Sequence, residues 1–124
     1  MKMFLITNNP LVLKKYPKSI KIKGSYKDVL LKGRDYIHQG HRLLIHPLAG
    51  SVKPNETPYK SLLLTDKNDQ GLDYNSLSLI ENAIITTDKF IDLERRLPAQ
   101  VDQDFQVVDL SLLEAAKENM TITL

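Results

Sequence analysis

The sequence predicts one α/β domain, a three-layer Rossmann-like or flavodoxin-like sandwich with a mostly parallel sheet of about five strands. Short apolar runs typical of buried strands alternate with segments of helical periodicity, and Gly, Pro or Asn residues mark the changes between them. A chain of 124 residues, 42% hydrophobic and 26% charged, lies in the range of one globular domain. We therefore expect a single α/β domain over residues 1–124.

The start of the chain predicts a strand, a short helix and an edge strand. Residues 3–7 form an apolar run ended by an Asn-Asn-Pro turn, as a buried parallel strand entering a helix does. Residues 11–16 predict a short helix, which Pro17 terminates because proline disfavours helical geometry in the preceding residue. Residues 19–23 alternate apolar with polar side chains, which is typical of a half-exposed edge strand.

The middle of the chain predicts a helix followed by two buried strands. Ser25 and Asp28 have the spacing of a capping box, and apolar residues then recur at helical intervals up to Gly40. Residues 42–46 and 60–65 are apolar runs of a length that suits strands buried on both faces.

The last part predicts two helices with a strand between them. After a turn at residues 70–75, four residues recur at the spacing of one apolar helix stripe: Leu77, Ile80, Ile84 and Ile91. Beyond Pro98, residues 105–110 predict the last strand, and Ser111 with Glu114 predicts the cap of a final helix.

Such sheets bind ligands outside the carboxyl ends of their strands, which directs attention to the segment from His46 to Lys60. This segment holds three prolines and a glycine, as a preorganised anion-binding loop does, although a plain connection between two strands has the same composition. The candidate ligand-binding residues lie in this loop and after the first strand: Asn8, Asn9, His46, Gly50, Ser51, Lys53, Asn55, Thr57 and Lys60. Asn8 and Asn9 have an alternative role as the turn that caps the first helix.

His46 and Glu56 are the candidate catalytic residues, with the histidine as general acid or base and the carboxylate orienting it. The pattern Gly-x-Ser-x-Gly is missing around Ser51, so a histidine that only fixes loop structure is the alternative. We expect no metal site, because the predicted helix and strand separate His38 and His41 from His46 by roughly 16 Å. We expect no cofactor either, since the chain has no cysteine and no phosphate-binding glycine motif.

Charge is distributed unevenly along the chain. Residues 1–60 hold twelve Lys and Arg against three Asp and Glu, whereas residues 61–124 hold five against twelve. The basic half could attract phosphates, nucleic acid or an acidic partner, or the two halves could pack together and neutralise each other. We do not expect nucleic-acid binding, because only Tyr16 accompanies the lysines of residues 14–23 as a stacking platform.

No apolar run of about 18 residues occurs, so we expect a cytoplasmic protein without membrane contact. Homo-oligomerisation is left open.

Four stretches of the sequence resemble the GrdX family: residues 6–10 (Ile-Thr-Asn-Asn-Pro), residues 24–30 (Gly-Ser-Tyr-Lys-Asp-Val-Leu), Arg34-Asp35, and residues 38–60. The resemblance implies a cytoplasmic accessory role in the glycine, sarcosine or betaine reductase system of anaerobic amino-acid-fermenting bacteria, and it carries no established activity.

Two hypotheses follow from the residues and the resemblance together. The first is a non-catalytic protein that binds a small anionic ligand or a glycine or betaine reductase component. The alternative is a small enzyme that acts on an amino-acid-derived or phosphorylated metabolite with His46 as general acid or base. We favour the first, because no recognisable nucleophile, base and oxyanion hole occur together.

Overall fold

The computed structural model describes residues 2–48, 57–67, 71–89 and 98–119. Within these residues the chain forms three strands and four helices, in the order β1 (Met3–Thr7), α1 (Pro10–Lys15), β2 (Ile20–Lys21), α2 (Tyr26–His38), β3 (Ser61–Thr65), α3 (Tyr74–Lys89) and α4 (Ala99–Asn119).

The sheet is small and mixed, with the strand order β2-β1-β3. The central strand β1 pairs in parallel with β2, where Ile6 lies opposite Ile20. It pairs antiparallel with β3 along its whole length, from Met3 opposite Thr65 to Thr7 opposite Ser61. The carboxyl end of β1 therefore meets the amino end of β3 at one edge of the sheet.

The prediction of a five-stranded, mostly parallel Rossmann-like or flavodoxin-like sandwich is wrong. A continuous apolar run fits either strand direction, so periodicity could not reveal that β3 runs antiparallel to β1. Residues 42–46 form only an isolated bridge between Leu43 and Leu64, and the chain then turns at Pro47, which has no N–H to donate to a ladder.

The predicted strand at residues 105–110 is also wrong, because these residues lie inside α4. The β-branched pair Val107 and Val108 favours a strand locally, but both side chains are exposed on the helix. Leu110 and Leu113, three residues apart, instead pack against the sheet. Ser111 therefore does not cap a helix but lies within one.

The helices predicted in the first three quarters of the chain are confirmed in type. Ser25 and Asp28 form the capping box of α2, in which the Asp28 N–H donates to Ser25 Oγ (3.2 Å) and the Ser25 N–H to Asp28 Oδ2 (2.8 Å). α2 lies so close to β3 that a Cβ atom at Gly33 would be 2.6 Å from Leu62 Cδ1. This close approach fixes the distance between α2 and the sheet.

Alternating residues of β1 and β3 point to opposite faces of the sheet, and each face is covered by two helices. One cluster contains Ile6, Leu62 and Leu64 with side chains of α2 and α3. The other contains Leu5 and Leu63 with side chains of α1 and α4. α4 therefore covers the same face as α1, which brings residues near position 109 to the edge where β1 ends.

Ion pairs join the basic and acidic halves of the sequence. Four pairs cross between them: Lys15–Glu114, Lys27–Asp88, Arg34–Glu81 and Arg42–Asp73. The interpretation that the halves pack together and neutralise each other is confirmed for these residues. No helix in the described segments is both long and apolar enough to cross a bilayer.

Candidate functional site

A chain of buried and partly buried hydrogen bonds lies at the edge where β1 ends and β3 begins. The strand register places Thr7 opposite Ser61, and their hydroxyl oxygens are 2.7 Å apart. Ser61 Oγ donates to Asp109 Oδ2 (2.8 Å), so the Thr7 hydroxyl must supply the hydrogen between the two hydroxyls. The Asn9 N–H in turn donates to Thr7 Oγ1 (3.0 Å). Every donor in this chain is directed toward the Asp109 carboxylate of α4.

Asn9 is fully buried, and its side chain makes three hydrogen bonds that join α1 to α4. Its Oδ1 accepts from the Leu11 N–H (3.0 Å) and so caps α1, as one of the two sequence interpretations held. Its Nδ2 donates to the Gln106 carbonyl (2.9 Å) and to Asp109 Oδ2 (2.9 Å). Both amide hydrogens are therefore used in holding α4, and the predicted ligand role of Asn9 stays a prediction.

Asn8 holds the segment before β3 against the sheet. Its Nδ2 donates to the carbonyl oxygens of Pro58 (2.8 Å) and Gly24 (3.1 Å). Its Oδ1 accepts from the Lys60 backbone N–H (2.9 Å). The bonds to Pro58 and Lys60 hold the backbone just before β3, and they are the contribution of Asn8 to the candidate site.

A shallow pocket of about 20 Å³ opens beside this network, and we call it the Lys60 notch. This volume holds about one water-sized group. Side chains from α2, from the segment before β3 and from α4 line it: Tyr26, Thr57, Tyr59, Lys60, Phe105, Val108, Asp109 and Leu112. Two of the residues predicted to bind a ligand, Thr57 and Lys60, therefore lie together in its wall.

Lys60 is only 8% exposed, which is unusual for a lysine. Its Nζ lies 5.6 Å from the centre of the Tyr26 ring, at the distance of a cation–π contact. No ion pair within 4.0 Å includes Lys60 among the residues that the structure describes. Burial lowers the pKa of the Lys60 ammonium to about 8, and the negative charge of Asp109 opposes that change.

The tyrosines of the notch are held in their neutral form. Burial raises the pKa of Tyr26 well above its ordinary value, and the charge of Asp109 adds to the effect. Burial also raises the pKa of Tyr59, whose hydroxyl donates to Asp102 Oδ1 (2.7 Å) and accepts from Gln106 Nε2 (3.2 Å). Thr57 Oγ1 accepts from the Tyr59 N–H (3.2 Å), which fixes the start of this segment.

His46 is exposed, and its Nδ1 accepts a hydrogen bond from the Leu48 N–H (3.0 Å). This bond fixes the turn at Pro47 and Leu48, as expected for a histidine that only fixes loop structure. The other predicted loop residues lie outside the described residues: Gly50, Ser51, Lys53, Asn55 and Glu56. The predicted pairing of His46 with Glu56 therefore stays a prediction.

The other two histidines lie away from the notch. His41 Nδ1 donates to the Thr65 carbonyl (2.8 Å), and its ring packs edge-on against Phe4 and Tyr36. His38 is the exposed last residue of α2. Within the described segments no group of three or more His, Asp or Glu side chains is arranged to hold a metal ion.

Sequence reasoning missed the residues that α2 and α4 bring to the notch. Asp109 was not identified as a site residue, because residues 105–110 were predicted to form a strand and nothing in that prediction placed its carboxylate beside Asn9. A helical interpretation from Pro98 onward would have put Gln106, Asp109, Leu110 and Leu113 on one face, at intervals of three and four residues. Tyr26 could not be identified as a site residue from the sequence, because its position in the apolar spacing of α2 predicts only a core residue.

The fold and the notch define a small α/β protein with helices on both faces of a three-stranded mixed sheet and a buried lysine at the sheet edge. A family model described as GrdX-like protein matches residues 4–118, and the chain belongs to that family. Comparisons with curated proteins and with solved structures gave no significant match.

Proposed function

We propose that this GrdX-family chain is an accessory protein that binds a small anionic metabolite at the Lys60 notch. One observation carries the proposal: the Lys60 ammonium is buried at the wall of an open pocket, with no ion-pair partner among the described residues. Removing a cation from water costs free energy, and a bound anion would compensate for that cost.

The surroundings of Lys60 favour a ligand with a single negative charge. Asp109 also lines the notch, and its Oδ2 is occupied by hydrogen bonds from Asn9 and Ser61. Its carboxylate repels a second negative charge. The apolar walls formed by Phe105, Val108 and Leu112 suit the carbon skeleton of a small carboxylic acid.

The family name associates such proteins with the glycine reductase system, so the ligands to test are glycine, sarcosine, betaine and acetyl phosphate, together with glycolate as the singly charged carboxylate that the notch favours and phosphate as the more highly charged comparison. A ligand at 100 times its dissociation constant should stabilise the fold by about 2.7 kcal/mol, which a thermal-shift assay detects. Lys60→Met removes the charge at similar length, whereas Lys60→Arg keeps it. Lys21→Met, at an exposed position of β2, is the matched control.

We expect a ligand-dependent shift in the wild type, in Lys60→Arg and in Lys21→Met, and none in Lys60→Met. An equal shift in Lys60→Met would contradict the proposed site. If none of these ligands gives a shift, the result would favour a reductase component as the partner, which is the other possibility in the hypothesis of a non-catalytic protein.

A further inference from the structure

Lys60 has the surroundings of a reactive amine as well as those of a binding cation. An amine attacks carbonyl groups only in its neutral form, and a buried lysine reaches that form at lower pH than an exposed one. With a pKa of about 8, about a quarter of Lys60 side chains are neutral at pH 7.5. For an exposed lysine with a pKa near 10.4 the neutral fraction is about one in a thousand.

The notch also supplies access and specific neighbours. Lys60 lines a pocket that opens to solvent, and its one hydrogen bond to a described side chain is donated by its backbone N–H, to Asn8 Oδ1. The charged and titratable groups that face it are Asp109 of α4, Tyr26 of α2 and the adjacent Tyr59. Both phenols stay neutral at physiological pH, so Asp109 is the only formal charge beside the amine among these neighbours.

We propose that Lys60 forms an imine with a small 2-oxo acid, a ligand that carries an aldehyde or ketone next to its carboxylate. This inference rests on the proposed function, because the same notch first attracts the carboxylate. A volume of about 20 Å³ admits the carbonyl end of such a ligand and favours the smallest members of the class.

The reaction needs no oxidant or reductant. The nitrogen lone pair forms the C–N bond, the carbonyl oxygen takes up a proton, and the nitrogen loses one to give a carbinolamine. The hydroxyl group then leaves as water after a second protonation, so that amine, carbonyl compound and one proton give an iminium ion and water. The iminium nitrogen carries a positive charge, so the carboxylate of the ligand lies beside a cation and near Tyr26.

The experiment is reductive trapping of the purified chain with glyoxylate and cyanoborohydride at pH 7.5, followed by peptide mass spectrometry. Hydride reduces the imine to a stable secondary amine and leaves a carboxymethyl group on the modified lysine. We expect the Lys60 adduct to form at least ten times faster than adducts of exposed lysines such as Lys21 and Lys23. The α-amino group, with a pKa near 7.7, is an internal standard for an amine that is accessible and partly neutral.

Two controls separate this inference from the proposed anion site. Lys60→Arg keeps the cation and cannot form an imine, so it should still bind glycolate in the thermal-shift assay while the adduct at position 60 is lost. Glycolate binding to the wild type without a faster Lys60 adduct would overturn the imine and leave the anion site intact. If glycolate does not bind and no faster Lys60 adduct forms, both proposals are overturned.

Discussion

Asn9 and Asp109 are 100 residues apart in the sequence, and Asn9 Nδ2 donates to Asp109 Oδ2 over 2.9 Å. The same oxygen accepts from Ser61 Oγ at 2.8 Å. One carboxylate oxygen therefore joins the start of α1, the start of β3 and the middle of α4. Because Asp109 also lines the Lys60 notch, the contact that holds α4 to the sheet shapes the candidate site as well.

Asp109→Ala should destabilise the fold, because it leaves two donors of largely buried residues without their acceptor. Each unsatisfied buried group costs about 1–3 kcal/mol. Urea denaturation measures the change in the free energy of unfolding. Asp109→Asn keeps an oxygen that can accept, so it should cost less.

Asp104→Ala is the matched control on the same helix. Asp104 is exposed and accepts only from Gln100 Nε2 (3.0 Å) among the described residues, so its loss should stay within about 0.5 kcal/mol. Both substitutions place alanine in α4 and share any gain in helix propensity. Equal effects of the two would mean that the Asp109 network does not stabilise the docking of α4.

Gly24→Ala should disrupt the beginning of α2. Gly24 has φ +148°, and a Cβ atom there would lie 2.1 Å from Asp28 Oδ2, the oxygen of the capping box. The substitution combines backbone strain of about 1–2 kcal/mol with loss of a cap worth about 0.5–2 kcal/mol. Thermal unfolding should show a lower midpoint than that of the wild type.

Gly71→Ala controls for the backbone strain alone. Gly71 has φ +80°, but a Cβ atom there would meet no atom within 4 Å. We expect Gly24→Ala to be the more destabilising of the two. If the two substitutions lower the unfolding midpoint equally, the prediction is wrong, because Asp28 then moves away from the new Cβ atom without loss of the helix cap.

The sequence predicted the elements whose signals are local. The capping box at Ser25 and Asp28, the apolar stripe through Ile80 and Ile84, and the apolar run of β1 all depend on residues within a few positions of each other. These signals act through the backbone of their own segment, so no other part of the chain is needed to interpret them.

The sequence could not predict relationships that depend on distant parts of the chain. The direction of β3 is decided by pairing with β1 across more than 50 positions, and the apolar run of Leu62 to Leu64 suits either direction. The helical state of Val107 and Val108 depends on Leu110 and Leu113 packing on the sheet, which overrides local strand preference. The candidate site shows the same difference between local and distant signals. Lys60 was predicted from its position in the loop, whereas Asp109 could be placed at the site only if residues 105–110 were known to be helical.

Acid should weaken the contact between α1 and α4. Lys15 pairs with Glu114, whose pKa is lowered mainly by the hydrogen bond from Lys15, with further contributions from Tyr16 and Lys117. Because the folded pKa lies below the unfolded one, the stabilisation is present above pH 4.5 and is lost as the pH falls through the folded value. The pair is largely solvent-exposed, so water screens it and the expected effect is small.

Glu114→Gln should remove this part of the acid dependence, as measured by urea denaturation at pH 3, 4, 5 and 7. Glu118→Gln, at an exposed position one turn later in α4, should leave the dependence as it is in the wild type. Identical acid profiles for the two variants would show that the Lys15–Glu114 pair does not contribute to stability.

Alkaline pH should stabilise the fold through Lys60. Burial sets its folded pKa at about 8, below the ordinary value of 10.5, so between these values the unfolded chain binds more protons. The free energy of unfolding must then rise with pH, by about 2 kcal/mol between pH 8 and pH 10. The buried charge is present in full only well below pH 8, where its cost is about 3 kcal/mol. Above pH 10 the effect is masked, because the raised pKa of Tyr26 makes ionisation of that phenol favour the unfolded state.

Lys60→Met separates this contribution from every other group that titrates in the same range. Asp109 and both tyrosines of the notch are present in the variant and the wild type, so the difference between their stabilities reports Lys60 alone. In urea denaturation we expect the free energy of unfolding of the wild type to rise relative to that of Lys60→Met from pH 8 to pH 10. A constant difference would mean that the ammonium stays hydrated in the folded protein, and both proposals for the notch would then lose the buried charge on which they depend.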